Sequence, residues 1–189
     1  MGNRGILHDD HNRVVRPWAH KAWVTCLLEF KGITRPKPFS KGNYSELFFL
    51  DEVTAFAAGH RPCAYCQRAR HLEFKDAWVK ANVPEELRTS MKMPDIDKVI
   101  HAERAISGGG KRTYDAPLVE LPTGAIFEYD DRAYLVSSFG YLPWSFAGYG
   151  EAESIGLTTR VRVLTPRSVV RAFTTGFTPT VHQTARPAS

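Results

Sequence analysis

The chain has 189 residues, 43% hydrophobic and 12% aromatic, enough apolar material for one core or two small domains. No run of about 18 apolar residues occurs and residues 1–10 hold no apolar leader stretch, which excludes a membrane-spanning helix and leads us to expect a cytoplasmic protein. Three cysteines make a poor disulfide framework, and 25 Lys+Arg against 20 Asp+Glu give a net charge of +5, a mild pull toward polyanions.

The first element expected is a strand over residues 22–30, where Trp23, Val24, Leu27, Leu28 and Phe30 supply aromatic and branched side chains and Cys26 sits inside. Residues 32–44 carry prolines, glycines and bases, so they read as a basic loop leading to a second strand over 45–50, the two forming a hairpin-like pair. Asp51 offers an N-cap to a short helix over 52–58, and Gly59 supplies the left-handed residue that ends one. Residues 67–81 lack proline and glycine and set Leu72, Phe74, Trp78 and Val79 among charges, the pattern of an amphipathic helix. Another helix is expected over 95–106, broken by Gly108-Gly109-Gly110.

The remainder reads as β, with short strands at 118–121, 125–130, 133–138 and 160–164 and a tight turn at Asp130-Asp131. A last helix would be capped by Thr165, carry Pro166 in its first turn, bury Val169, Val170 and Phe173, and end at Gly176. Residues 139–150 concentrate five aromatics, either a base-stacking platform beside Arg160, Arg162, Arg167 and Arg171 or a hydrophobic loop closing a small barrel. The fold class is therefore α+β: a strand–helix metal module at 1–81, a helical connector at 82–112 and a small β-rich domain at 113–189.

The clearest chemical signal is Gly59-His60-Arg61-Pro62-Cys63-Ala64-Tyr65-Cys66. A tight turn brings two thiolates spaced by two residues onto one ion, and zinc accepts thiolate and imidazole ligands in a tetrahedron, so Cys63 and Cys66 supply two of four positions. A helix starting just after Cys66 would point its positive end at the thiolates. Cys26 is the first choice for a third ligand, with His20, His60 or His101 for the fourth, against the alternative that Cys26 is simply a small buried apolar residue.

The stretch from Glu46 through Phe48-Phe49-Leu50-Asp51-Glu52 and Ala57-Ala58-Gly59-His60-Arg61-Pro62-Cys63-Ala64-Tyr65-Cys66-Gln67 resembles the amino-terminal metal-binding domain of the bacterial Ada methyltransferase. The similarity covers about a fifth of the chain and extends loosely over residues 23–81. The whole chain also resembles a family of uncharacterised bacterial proteins with the same Phe-Leu-Asp-Glu and Gly-His-Arg-Pro-Cys elements. The Ada resemblance implies a zinc module that contacts DNA. In that domain two further cysteines, one of them the methyl acceptor, lie in a turn that corresponds here to residues 32–38, which hold no cysteine. The implication is a metal turn without methyl transfer.

A second reading joins His101-Ala102-Glu103 to Pro62-Cys63-Ala64-Tyr65-Cys66, because zinc deaminases use a His-x-Glu and a Pro-Cys-x-x-Cys segment, the glutamate carrying protons for the zinc-bound water. The order here is reversed. Helical periodicity puts Glu103 within the stripe of Ile96, Val99 and Ile100 and His101 on the opposite side. Glu103 is then either ion-paired with a base such as Arg104 or Arg68, or catalytic. The leading expectation is a zinc-binding module that contacts DNA through Arg35, Lys37, Lys41, Arg61, Arg68 and Arg70. The rivals are a zinc-dependent nucleobase deaminase or hydrolase using Glu103, and a metal-free interaction protein.

Overall fold

In the computed structural model, which describes residues 1–32 and 37–186, three distant segments build a small sheet. β1 (Gly2–Asn3) pairs antiparallel with β2 (Val24–Thr25), and β2 pairs parallel with β3 (Arg61–Pro62) in the register Val24 to Arg61 and Thr25 to Pro62. The strand expected over 22–30 is only two residues long, because the chain turns away after Thr25. The Leu27 N–H meets a cysteine sulfur instead of a strand carbonyl. The strand expected over 45–50 contracts to one bridge, Gly2 to Leu47, so the two segments form no hairpin.

Helix α1 (Glu52–Ala57) begins as the sequence implies. Asp51 Oδ1 accepts from Thr54 N at 2.9 Å and Thr54 Oγ1 accepts from Asp51 N at 3.1 Å, a reciprocal cap with threonine in the place usually held by Glu or Gln. Gly59, at φ +82°, then redirects the chain into β3. Helix α2 (Arg68–Asn82), a 3-10 turn (Glu85–Ser90) and α3 (Met93–Arg104) follow. α3 starts two residues earlier than expected, since Pro94 fits the first turn, where an N–H would have no intrahelical acceptor anyway.

Six antiparallel strands form the second sheet: β4 (Tyr114–Pro117), β5 (Ile126–Tyr129), β6 (Arg132–Ser137), β7 (Gly140–Ser145), β8 (Gly148–Tyr149) and β9 (Arg160–Val163). Their order is β4-β9-β5-β6-β7-β8. Asp130 and Asp131, at φ 49° and 56°, make the two-residue left-handed turn that matches strand twist between β5 and β6. Residues 118–120 are 3-10 helix, not strand. The aromatic stretch at 139–150 is the β7–β8 hairpin, with Phe146 almost fully exposed at its tip against Trp144.

Helix α4 (Arg167–Thr174) is capped differently from the expectation. Thr165 is buried and its hydroxyl accepts from Ile126 N at 2.9 Å, pinning β5, while Glu103 closes the helix start by accepting from Ser168 N at 2.9 Å and Ser168 Oγ at 2.6 Å. The boundaries expected at 81 and 112 are crossed by the core. Phe56 of α1, Phe74 and Trp78 of α2, Ile96 and Ile100 of α3 and Val169 and Phe173 of α4 form one cluster, and Val53 and Ala57 on the other face of α1 pack with Ile126, Leu135 and Leu142 of the large sheet. Val53 and Ala57, four residues apart, share one side of the short helix, and Phe56, about 100° around from Ala57, turns toward the helical cluster.

Candidate metal centre

Cys26 follows β2 directly, and Cys63 follows β3. Because these strands are parallel and in register, they deliver both thiols to the same end of the sheet, and the Cys63 N–H donates to Thr25 O at 2.9 Å to extend the ladder. Cys66 closes the Cys63-Ala64-Tyr65-Cys66 turn, and Gln67 ties the turn to β2 by donating from Nε2 to Thr25 O at 2.9 Å. The three sulfurs lie within 4.8 Å of one another. A tetrahedral zinc with bonds of about 2.3 Å needs sulfurs about 3.8 Å apart, so the spread is close to what one ion requires. All three cysteines are free thiols of intermediate exposure.

Two backbone N–H groups already point at sulfur: Leu27 N to Cys66 Sγ and Tyr65 N to Cys63 Sγ, each at 3.4 Å. Such donors favour the thiolate. Burial works against ionisation of Cys63, yet hydrogen bonds from the Cys66 and Tyr65 backbone outweigh it and leave that thiol below the ordinary range. Burial pushes Cys26 up to about 12, helped by the neighbouring Cys63 and Cys66. Cys63 is thus easier to ionise than an ordinary thiol while Cys26 and Cys66 are harder, a resistance that a divalent cation offsets by supplying positive charge.

The turn is held from behind by a buried ion pair. Arg61 binds Asp97 of α3 through Nε–Oδ1 and Nη2–Oδ2, both at 2.7 Å, with the two side chains only 8% and 7% exposed. The same guanidinium donates from Nη1 to Pro62 O at 3.1 Å, and His71 Nδ1 lies 3.1 Å from that carbonyl. Arg61 was an expected nucleic-acid contact, and its burial and bidentate pairing remove it from that role. Arg70 is likewise engaged, by Glu52 at 3.0 and 2.6 Å, by Glu73 at 2.8 Å and over the ring of Phe177.

The other expected residues scatter. Lys37 and Lys41 are exposed along a cleft that also holds Asp9 and Asp10, with Lys41 Nζ 3.5 Å from Asp10. Arg68 is exposed just after the metal turn, and Arg35 lies outside the described residues. No histidine joins the sulfur cluster among the described residues. His101, expected as a ligand, instead sets its ring edge-on to Trp18 and Trp23, at 5.0 and 5.2 Å between centroids. Glu103, expected as a proton carrier, is held by Ser168 as the cap of α4.

Two features escaped the sequence reading. Phe30 and Tyr65 meet at 5.2 Å in a T-shape, with Lys31 Nζ 5.3 and 5.5 Å from their centroids and Tyr65 66% exposed. The sulfurs also open onto a cavity of about 180 Å³ that includes Met1, Tyr44 and Tyr65, beside a larger cleft of about 460 Å³ that shares Cys26 and reaches Glu52 and Arg70. Comparison with protein-family models, curated proteins and solved structures finds no match. No helix among the described residues is long and apolar enough to cross a membrane.

Proposed function

We propose that the protein binds zinc through Cys26, Cys63 and Cys66 and presents the metal turn to nucleic acid, with DNA as the favoured ligand. The observation that carries the metal half is the mutual approach of three sulfurs, with donors aimed at two of them. Zinc suits this set because thiolates are its preferred ligands and no redox partner is required. Bound there, it would lock the turn that carries Tyr65 and the chain reversal after β2. The resemblance of residues 46–67 to the Ada-like turn supports the same choice of metal.

The nucleic-acid half rests on half-buried Phe30 and exposed Lys31 and Tyr65, which meet beside the sulfurs, and on exposed Arg68 two residues after Cys66. Rings beside cations are what stack bases and approach phosphates. The scattered loop lysines add charge without forming a platform. Purified protein should carry about one zinc, and its affinity for duplex DNA should fall steeply as salt rises, since each phosphate contact releases a counterion. Tyr65→Ala with Arg68→Ala should weaken binding at least tenfold while zinc content stays constant. Undetectable binding at low salt would contradict the nucleic-acid half.

The cleft favours a second reading. Three protein ligands leave one position of a tetrahedron for water or substrate, as in catalytic zinc sites, and about 460 Å³ suits a small molecule. In that case the proton carrier is not Glu103. Zinc-dependent turnover that persists in Glu103→Gln would support a hydrolytic centre.

A further inference from the structure

At the opposite end of β2 and β3 a second cluster gathers, and every charged member is basic. Arg4 lies over the ring of Trp23 at 3.9 Å and donates from Nε to His60 Nε2 at 3.2 Å. Arg104 packs against Gly59, where an added Cβ would stand 2.7 Å from Arg104 Cγ and 3.4 Å from Trp23 Cε3. Lys111 reaches in from the loop after α3 to donate to Ala57 O at 2.9 Å. We propose that Arg4, Arg104 and Lys111 form a binding site for a phosphate-type oxyanion.

None of the three makes an ion pair among the described residues; their partners are His60 and the carbonyls of Ala57, Ala58 and Gly110. The acid in the field of Lys111 is Glu128, which is already paired with Arg162 at 3.0 Å. Arg4 lies in the field of Arg104 and Lys111 in the field of both, and burial first, with this repulsion second, lowers Arg4 to about 10 and Lys111 to about 7. Grouping like charges in a half-buried place is unfavourable unless something of opposite sign enters.

A plainer account makes Arg4 and Lys111 caps on the last carbonyls of α1, which cations do favour. It uses two of Arg4's five N–H groups, counting the bond to His60, and one of the three on Lys111. It leaves unexplained why Arg104 joins them with its Nε buried and unpartnered. A tetrahedral oxyanion carries up to two charges and several acceptor oxygens, which answers both the charge and the open donors; chloride would answer only part of the first. Arg4, Arg104 and Lys111 are all partly exposed, so an anion can reach them from solvent.

Inorganic phosphate titrated into the full chain at constant ionic strength, with sodium chloride as the control, tests this by calorimetry and thermal shift. Saturable binding is expected for phosphate beyond any effect of chloride, weakened at least tenfold in Lys111→Met and in Arg104→Gln. Lys111→Met should also raise the melting temperature of the phosphate-free protein, because it removes an uncompensated charge; a capping role alone would lower it. Adenosine monophosphate separates the sources: tighter binding than phosphate identifies a nucleotide phosphoryl group, and equal binding identifies the free oxyanion. Cys66→Ser should leave the phosphate response intact, which keeps this site distinct from the metal reading. A response no greater than that to chloride, or one unchanged in both variants, would overturn the proposal.

Discussion

The two ends of the parallel pair β2 and β3 make opposite electrostatic demands. At one end Cys26 and Cys63 meet Cys66 and call for a cation; at the other, residues next to Trp23 and His60 gather Arg4, Arg104 and Lys111 and call for an anion. The strands are two residues long, yet parallel register is enough to put consecutive positions of both segments side by side at each end. The lesson is that each end holds like groups that repel or resist ionisation when alone, so each is poised for an ion rather than for self-sufficiency. The buried Arg61–Asp97 pair between them is already neutral and has no such demand.

The largest expected effect separates the thiol end from everything else. Cys66→Ser should reduce bound zinc from about one equivalent to below about a tenth and weaken affinity by several orders of magnitude, because thiolate ligands carry most of the binding free energy of such sites. Metal analysis after dialysis checks it. A variant that keeps full zinc would mean that the sulfurs are not the ligands.

Next comes the pair between the ends. Arg61→Met leaves Asp97 buried without a partner and should cost about 3–5 kcal/mol in urea unfolding, whereas Arg61→Met with Asp97→Leu should recover much of that loss. Equal destabilisation by the single and the double variant would show that the pair matters through packing alone. Gly59→Ala is expected to cost about 1–3 kcal/mol, because it puts a side chain at φ +82° and against Arg104. It should disturb phosphate binding and spare zinc.

The smallest effect is a pH dependence. Burial, reinforced by Arg104 and Arg4 and opposed weakly by Glu128, brings Lys111 to about 7, while an unfolded lysine titrates at about 10.4. Between those values the unfolded chain holds a proton that the native protein lacks, so stability should rise as pH increases from about 7 to about 10. Denaturation midpoints across that range should show the rise in wild type and not in Lys111→Met. A rise of the same size in the variant would place its source elsewhere.

Much of this was legible in the sequence wherever a local rule decided. Asp51 capping α1, Gly59 turning the chain, Asp130-Asp131 joining β5 to β6 and the pairing potential of Cys63 and Cys66 all follow from a few adjacent residues. The choice of Cys26 as third ligand also agrees with its place in the sulfur cluster. What stayed hidden depends on distant partners. Arg61 and Arg70 look free in a sequence, but Asp97 lies 36 residues from one and Glu52 lies 18 from the other. Glu103 stands in an apolar stripe because its partner, Ser168, is 65 residues away. The cationic cluster left no sequence signal, since Arg4, Arg104 and Lys111 meet only through the small sheet and the end of α1.

The central claim is that three thiolates share one ion. X-ray absorption at the zinc edge on purified full-length protein measures this directly. Three sulfur scatterers at about 2.3 Å with one lighter neighbour are expected; zinc bound by fewer than three sulfurs, or protein that binds none when supplied with it, would contradict the account.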